Sequence, residues 1–97
     1  MDKAVLDILK AVDDPEIGVD IVELGLVYEA SRDENGVMVA MTATSRLCPL
    51  GEHMREEAAE RLAAAFPDAL AIDVELVWSP AWTPERMSKP ARQRLAF

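Results

Sequence analysis

Asn35-Gly36 stands between two segments of alternating apolar character, and this constrains the fold more than any other feature of the chain. Asparagine and glycine tolerate the positive φ values that a tight connection requires, so the flanking segments are expected to pair as a hairpin. The second segment, 37–44, sets Val37, Val39, Met41 and Ala43 against Met38, Ala40, Thr42 and Thr44. That period of two belongs to a strand with one covered face. The first segment covers 26–31, and Arg32-Asp33-Glu34-Asn35-Gly36 joins them.

A hairpin alone cannot bury its apolar face, so the rest of the chain must supply the cover. Residues 2–12 repeat Val5, Ile8, Leu9 and Val12 at helical spacing, with Asp2 as a candidate N-cap and Pro15 beyond the end. Residues 52–66 form a second helix with Met54, Ala58, Leu62 and either Ala65 or Phe66 on its buried stripe, and Pro67 ends it. Over 71–78, Ile72, Val74, Leu76 and Trp78 alternate with Asp73, Glu75 and Val77, a third strand. Residues 14–25 lack a period but hold too many apolar side chains for a free linker, so they are expected as an ordered loop with one helical turn near 21–24. After Pro80 comes a tail, then a short helix capped by Ser88 with Pro90 in its first turn. The expected fold is therefore an α/β two-layer sandwich of the α+β kind, ordered α-β-β-α-β. It has a small mixed sheet, helices on one face and a short C-terminal helix.

With 97 residues and 51% hydrophobic content, the chain supports one core, so 1–97 is expected to be one domain. The net charge of −8 argues against nucleic acid, whose phosphates need concentrated Lys and Arg. Arg86, Lys89, Arg92 and Arg94 are locally basic, which a solvated helix face explains. The opening residues carry acids where a secretory leader would be apolar, and no run is long enough to span a membrane. A single cysteine makes no internal disulfide, and these features together point to a reducing cytoplasm.

Three places could carry chemistry. Cys48 lies after a strand and just before a helix, where open α/β sheets tend to place ligands. A helix N-terminus and Arg46 would both favour its thiolate. From position alone, that role and a small buried hydrophobe weigh about equally. A phosphatase loop needs arginine six positions on, where Met54 stands, and Arg55 is one residue late. The only histidine, His53, is expected to point away from the thiol, which disfavours a Cys–His enzyme. One cysteine and one histidine cannot close a four-ligand metal site within one chain. A site shared between chains, or with another protein, stays open. The acidic stretch Asp13-Asp14-Pro15-Glu16 offers paired carboxylates, but on residue types alone a helix stop with a turn outweighs acid–base or metal chemistry. Trp78 and Trp82 bracket Pro80 and suit either a partner surface or a cap on the core, Trp82 being the better surface candidate.

Several blocks together resemble one family. Asp14-Pro15-Glu16-Ile17 followed by Asp20-Ile21-Val22-Glu23-Leu24-Gly25-Leu26-Val27-Tyr28 resembles the signature of the MIP18-like family, also called domain of unknown function 59 (DUF59). So do Met41-Thr42-Ala43-Thr44 leading into Cys48-Pro49-Leu50-Gly51, and Val74-Glu75-Leu76-Val77-Trp78-Ser79-Pro80-Ala81-Trp82 with Met87-Ser88 after it. The blocks occur in the family's order and nearly span the chain. Gly18 departs from the pattern, since the family often has proline there.

The resemblance implies the same α-β-β-α-β sandwich and a part in maturing iron–sulfur proteins. The family holds SUF-associated bacterial proteins, a eukaryotic cytosolic targeting factor and a domain fused to cluster-carrier ATPases. A further branch assists a phenylacetyl-CoA ring oxygenase and usually carries a cysteine-bearing C-terminal extension. This chain stops at Phe97 without one, so the SUF-type role is expected. By resemblance Cys48 is the reactive thiol and a metal ligand shared between chains, with Asp14, Glu16, Thr44 and Ser45 as the site wall. An iron–sulfur cluster would be held transiently. Scaffold, carrier or client proteins would be partners, with a homodimer also in view, and the chain would not be an enzyme. The alternatives are a protein-binding adaptor whose cysteine is structural, or an assembly factor for a phenylacetyl-CoA-type ring oxygenase.

Overall fold

The computed structural model describes residues 1–44 and 49–95. Asp2 caps the first helix, α1 (Lys3–Leu9), by accepting the Val5 N–H on its carboxylate at 3.0 Å. The hairpin follows as β1 (Val27–Asp33) and β2 (Gly36–Met41), antiparallel, with Asp33 paired to Gly36. Gly36 takes φ +138, and a Cβ there would run into the Ala71 backbone, so the turn residue also lets the residue before the third strand pack close. Helix α2 (Leu50–Ala65) crosses over to β3 (Ile72–Leu76), which lies parallel to β2. The sheet order β1-β2-β3 is thus mixed, as expected.

Alternation decides the two faces. Val37, Val39 and Met41 of β2 are buried, as are Ala30 and Val74 on its neighbours. They meet Val5, Leu9 and Val12 from the first helical segment and Met54, Ala58 and Leu62 from α2. Helix α1 lies against β1, α2 lies against β3, and the helices touch each other. Of the two alternatives at the end of the α2 stripe, Phe66 packs on the core while Ala65 is exposed. The opposite sheet face is open, with Met38 43% exposed.

Several segments end earlier than the pattern suggested. Residues 10–11 turn rather than continue α1, because the Ala11 and Val12 N–H groups bond the Ile8 and Leu9 carbonyls. Strand β2 stops at Met41, after which the Thr42 N–H turns to the Leu26 carbonyl at 2.8 Å. Strand β3 stops at Leu76, and the Val77 N–H still reaches Met41 at 2.8 Å. The tail contains a 3-10 turn, Pro84–Arg86, before α3 (Lys89–Arg94). Ser88 caps α3 as expected, accepting the Ala91 N–H at 3.2 Å.

Candidate functional site

Asp14 organises the loop after α1. Its N–H donates to the Val19 carbonyl at 3.0 Å, and its own carbonyl accepts from Ile17 at 3.2 Å and Gly18 at 2.7 Å. Its Oδ1 accepts the N–H groups of Glu16 at 2.9 Å and Ile17 at 3.3 Å. That is an aspartate turn, the physical reason the chain can reverse here. Asp14 is only 4% exposed, so its carboxyl group is buried and held by backbone donors. Asp20 repeats the device: Oδ1 accepts from Val22 and Glu23, both at 3.0 Å, and Leu24 donates back to the Asp20 carbonyl. This is the expected single helical turn. Asp13 and Glu16 remain exposed.

The loop faces α2 from its first turn to Arg61. A groove of about 450 Å³ lies between Asp13, Asp14 and Pro15 on one side and His53, Glu57 and Arg61 on the other. Arg61 donates to Glu57 at 2.9 Å, so within the groove these two charges offset each other, and His53 lines the same groove as the loop. Among the described residues, no group of three or more His, Cys, Asp and Glu side chains is disposed to hold a metal ion.

Thr44, at the exit of β2, is exposed, and Pro49 precedes α2 without a side-chain cap. The two flanks approach closely: a Cβ on Gly51 would stand 3.0 Å from that of Ala43. In the first turn of α2, the Arg55 guanidinium hydrogen-bonds Glu52 and holds that carboxyl below its usual range. Of the expected site residues, Asp14 and the loop are thus brought to α2 along His53, Glu57 and Arg61, while Thr44 and Glu16 are accessible. Ser45 and Cys48 lie outside the described residues.

Trp78 and Trp82 are both half-buried and packed on the core. The Trp82 Nε1–H donates to the Leu24 carbonyl at 2.8 Å, which turns the indole toward the 20–25 turn. Sequence reading did not anticipate Arg61 on the groove. Its signal was present, since Glu57 and Arg61 are four apart on a helix, the spacing of a paired face.

An antiparallel hairpin joined through a crossover helix to a parallel third strand, with an acidic loop set against that helix, defines a small two-layer α+β domain. Residues 2–75 match the family model described as "Iron-sulfur cluster assembly protein", and the chain belongs to that family. It is 43% identical to the Fe-S protein maturation auxiliary factor YitW of Bacillus subtilis over 96% of this chain and 91% of that one. It is 44% identical to the Fe-S protein maturation auxiliary factor SufT of Staphylococcus aureus, over 81% and 90%. Among solved structures, a domain of unknown function 59 from Bacillus anthracis superposes with a TM-score of 0.89 at 40% identity, covering 97% of this chain and 90% of that one.

Proposed function

We propose that this chain is an accessory factor in iron–sulfur cluster assembly, working through Cys48 on a transient cluster carried to or from other proteins. The observation that carries the reading is the family match over residues 2–75, a span that takes in the acidic loop, the hairpin, residue 48 and α2. Relatives named as maturation auxiliary factors support an accessory and non-enzymatic role. A further relative, 31% identical, is named an iron–sulfur cluster carrier protein, which supports carriers and clients as partners. The cytoplasm is the compartment where a lone cysteine would stay reduced.

The chemistry follows from the residue types. Thiolate sulfur is the soft ligand that iron–sulfur clusters take. Cys48 stands two positions ahead of Leu50, where a sixteen-residue helix begins, and the positive end of a helix favours an anion. One thiol leaves a cluster short of ligands, so the others must come from a second chain or from the cluster's donor and acceptor. Asp14, Glu16, Thr44 and Ser45 are proposed as the wall around that exchange, with Asp14 fixing the loop and Glu16 exposed. Trp78 and Trp82 are proposed as a partner surface only through the parts of their rings left exposed.

Complementation tests this reading. In a strain lacking the protein, folded Cys48→Ser is expected to fail to restore iron–sulfur enzyme activity, because serine is a far poorer nucleophile and soft-metal ligand. Full complementation by a Cys48→Ser variant with an unchanged thermal melt would put the adaptor reading in front. Anaerobic reconstitution with iron and sulfide, read by absorbance and metal content, separates cluster handling from adaptor function directly.

A further inference from the structure

The open face of the sheet is a feature that the cluster-handling role leaves unused. Cross-strand pairing sets its side chains in two rows. Glu29, Ala40 and Glu75 stand abreast in one, and Ser31, Met38 and Asp73 in the other. Glu29, Ser31, Asp73 and Glu75 are exposed, as is Met38 at the centre. The result is an apolar stripe along β2 with carboxylates on both flanks. Beside Met38 and Asp73 the surface dips into a depression of about 310 Å³ that reaches Ser31 and Asn35. None of Glu29, Asp73 and Glu75 is in an ion pair among the described residues, whose ion pairs use Asp2, Asp7, Glu52 and Glu57 instead.

The geometry points to this face as a docking surface for a basic amphipathic helix of another protein. Its dimensions suit that occupant. Glu29 and Glu75 are two strand spacings apart, about 10 Å, close to the width of a helix. Met38 and Ala40 lie about 7 Å apart along β2, near the spacing of residues i and i+4 on a helix. A helix laid along β2 therefore sets two apolar side chains on the stripe. Lysine or arginine on either side can rest its stem on Met38 and carry its charge to the carboxylates. Charge excludes the other classes of occupant. Nucleic acid and anionic lipid would be repelled by the flanking carboxylates, and the same face of a second copy would bring Glu29 and Glu75 against their like. This surface lies on the sheet face away from α1 and α2, and it does not depend on the proposed role of Cys48.

The test uses the whole chain, ¹⁵N-labelled, titrated at physiological salt with a synthetic amphipathic leucine–lysine helix. Amide shifts are expected to concentrate on 29–31, 38–40 and 73–75. The double variant Glu29→Lys/Glu75→Lys is expected to bind at least about tenfold more weakly, the loss of close charge partners. Glu56→Lys/Glu60→Lys makes the same change in net charge on exposed positions of α2 and is expected to leave the affinity unchanged. Met38→Lys tests the stripe separately and should also release the peptide. Equal weakening by both double variants, or shifts concentrated on α2, would reduce the binding to non-specific attraction and overturn the proposal.

Discussion

Gly25 lies against the Arg86 carbonyl so closely, at φ +73, that a Cβ there would overlap the oxygen. The residues just before it hold the same segment. Leu24 accepts the Trp82 Nε1–H, and Glu23 accepts the Ser88 N–H on its carbonyl at 2.8 Å and the Ser88 hydroxyl on its carboxylate. Three successive residues ahead of β1 thus fasten the chain that follows β3. Tyr28 adds a fourth tie, donating to the Pro80 carbonyl at 2.8 Å beneath the Arg86 guanidinium. The C-terminal segment is therefore built into the domain, and it contributes Met87 to the core that also holds Ile21 and Leu24.

Gly25→Ala should be costly for two additive reasons. A left-handed conformation costs a non-glycine residue about 1–2 kcal/mol, and the new methyl must also push the Arg86 backbone away. A loss of at least about 2 kcal/mol is expected in urea unfolding. Tryptophan fluorescence should change with it, since displacing Arg86 loosens the segment that carries Trp82. A variant within about 0.5 kcal/mol of the parent would mean that the two segments part easily.

Trp82→Phe isolates one tie. The ring remains apolar, but the Leu24 carbonyl loses its indole donor in a part-buried place. Leaving such an acceptor unpaired is expected to cost about 1–3 kcal/mol. Urea unfolding followed by far-ultraviolet circular dichroism checks this without relying on the tryptophan signal. No measurable loss would return Trp82 to a surface role.

Local rules made most of the architecture legible, and it became less legible where long-range contacts decide. Asn35-Gly36 and the alternation of Val37, Val39 and Met41 gave the hairpin, and the caps at Asp2 and Ser88 were visible because an N-cap acts within three residues. The ends of β2 and β3 were not visible, because alternation runs on past them: Thr42 and Val77 each keep one bond to the neighbouring strand, to Leu26 and Met41, and where pairing lapses after that is set by partners distant in sequence. The acidic loop was expected by resemblance to line a site; within the fold, Asp14 and Asp20 each spend one oxygen on the backbone. For Asp14 the residue types alone pointed to this turn; for Asp20 the same spacing, backbone N–H groups two and three residues on, carried the signal as well. No local rule would have placed His53 and Arg61 across from that loop, because the groove exists only once α2 packs.

Asp14 therefore separates structure from charge. Asparagine keeps an oxygen in the Oδ1 position for the Glu16 and Ile17 donors, whereas alanine leaves them without it. Asp14→Ala is expected to lose about 1–3 kcal/mol, and Asp14→Asn much less. If the loop wall serves cluster exchange through its charge, folded Asp14→Asn will still fail in complementation. Full complementation by Asp14→Asn, with Asp14→Ala destabilised, would leave the residue a purely structural one.

Asp2 gives a pH signature at the other end of the chain. Its carboxyl is held below the usual aspartate value first by the Val5 backbone N–H, and then by the Arg32 guanidinium 3.5 Å away. Arg32 also stacks over the Phe66 ring at 4.9 Å, so this pair ties the start of α1 to β1 and the end of α2. A pKa lowered by folding adds stability wherever the unfolded carboxyl is already ionised, above about pH 4. That contribution falls away as pH drops through the lower folded value. Glu52 shifts in the same direction through Arg55, so the whole-protein acid transition does not isolate Asp2. The difference between the parent and Asp2→Asn does. Asparagine is as good an N-cap, so the substitution removes the charge and keeps the acceptor for Val5. Asp2→Asn is expected to be less stable than the parent at neutral pH and to converge with it well below pH 4, as read by urea unfolding at a series of pH values. A stability gap that stays constant through the acid range would mean that the ionised carboxylate contributes nothing and the cap alone holds α1.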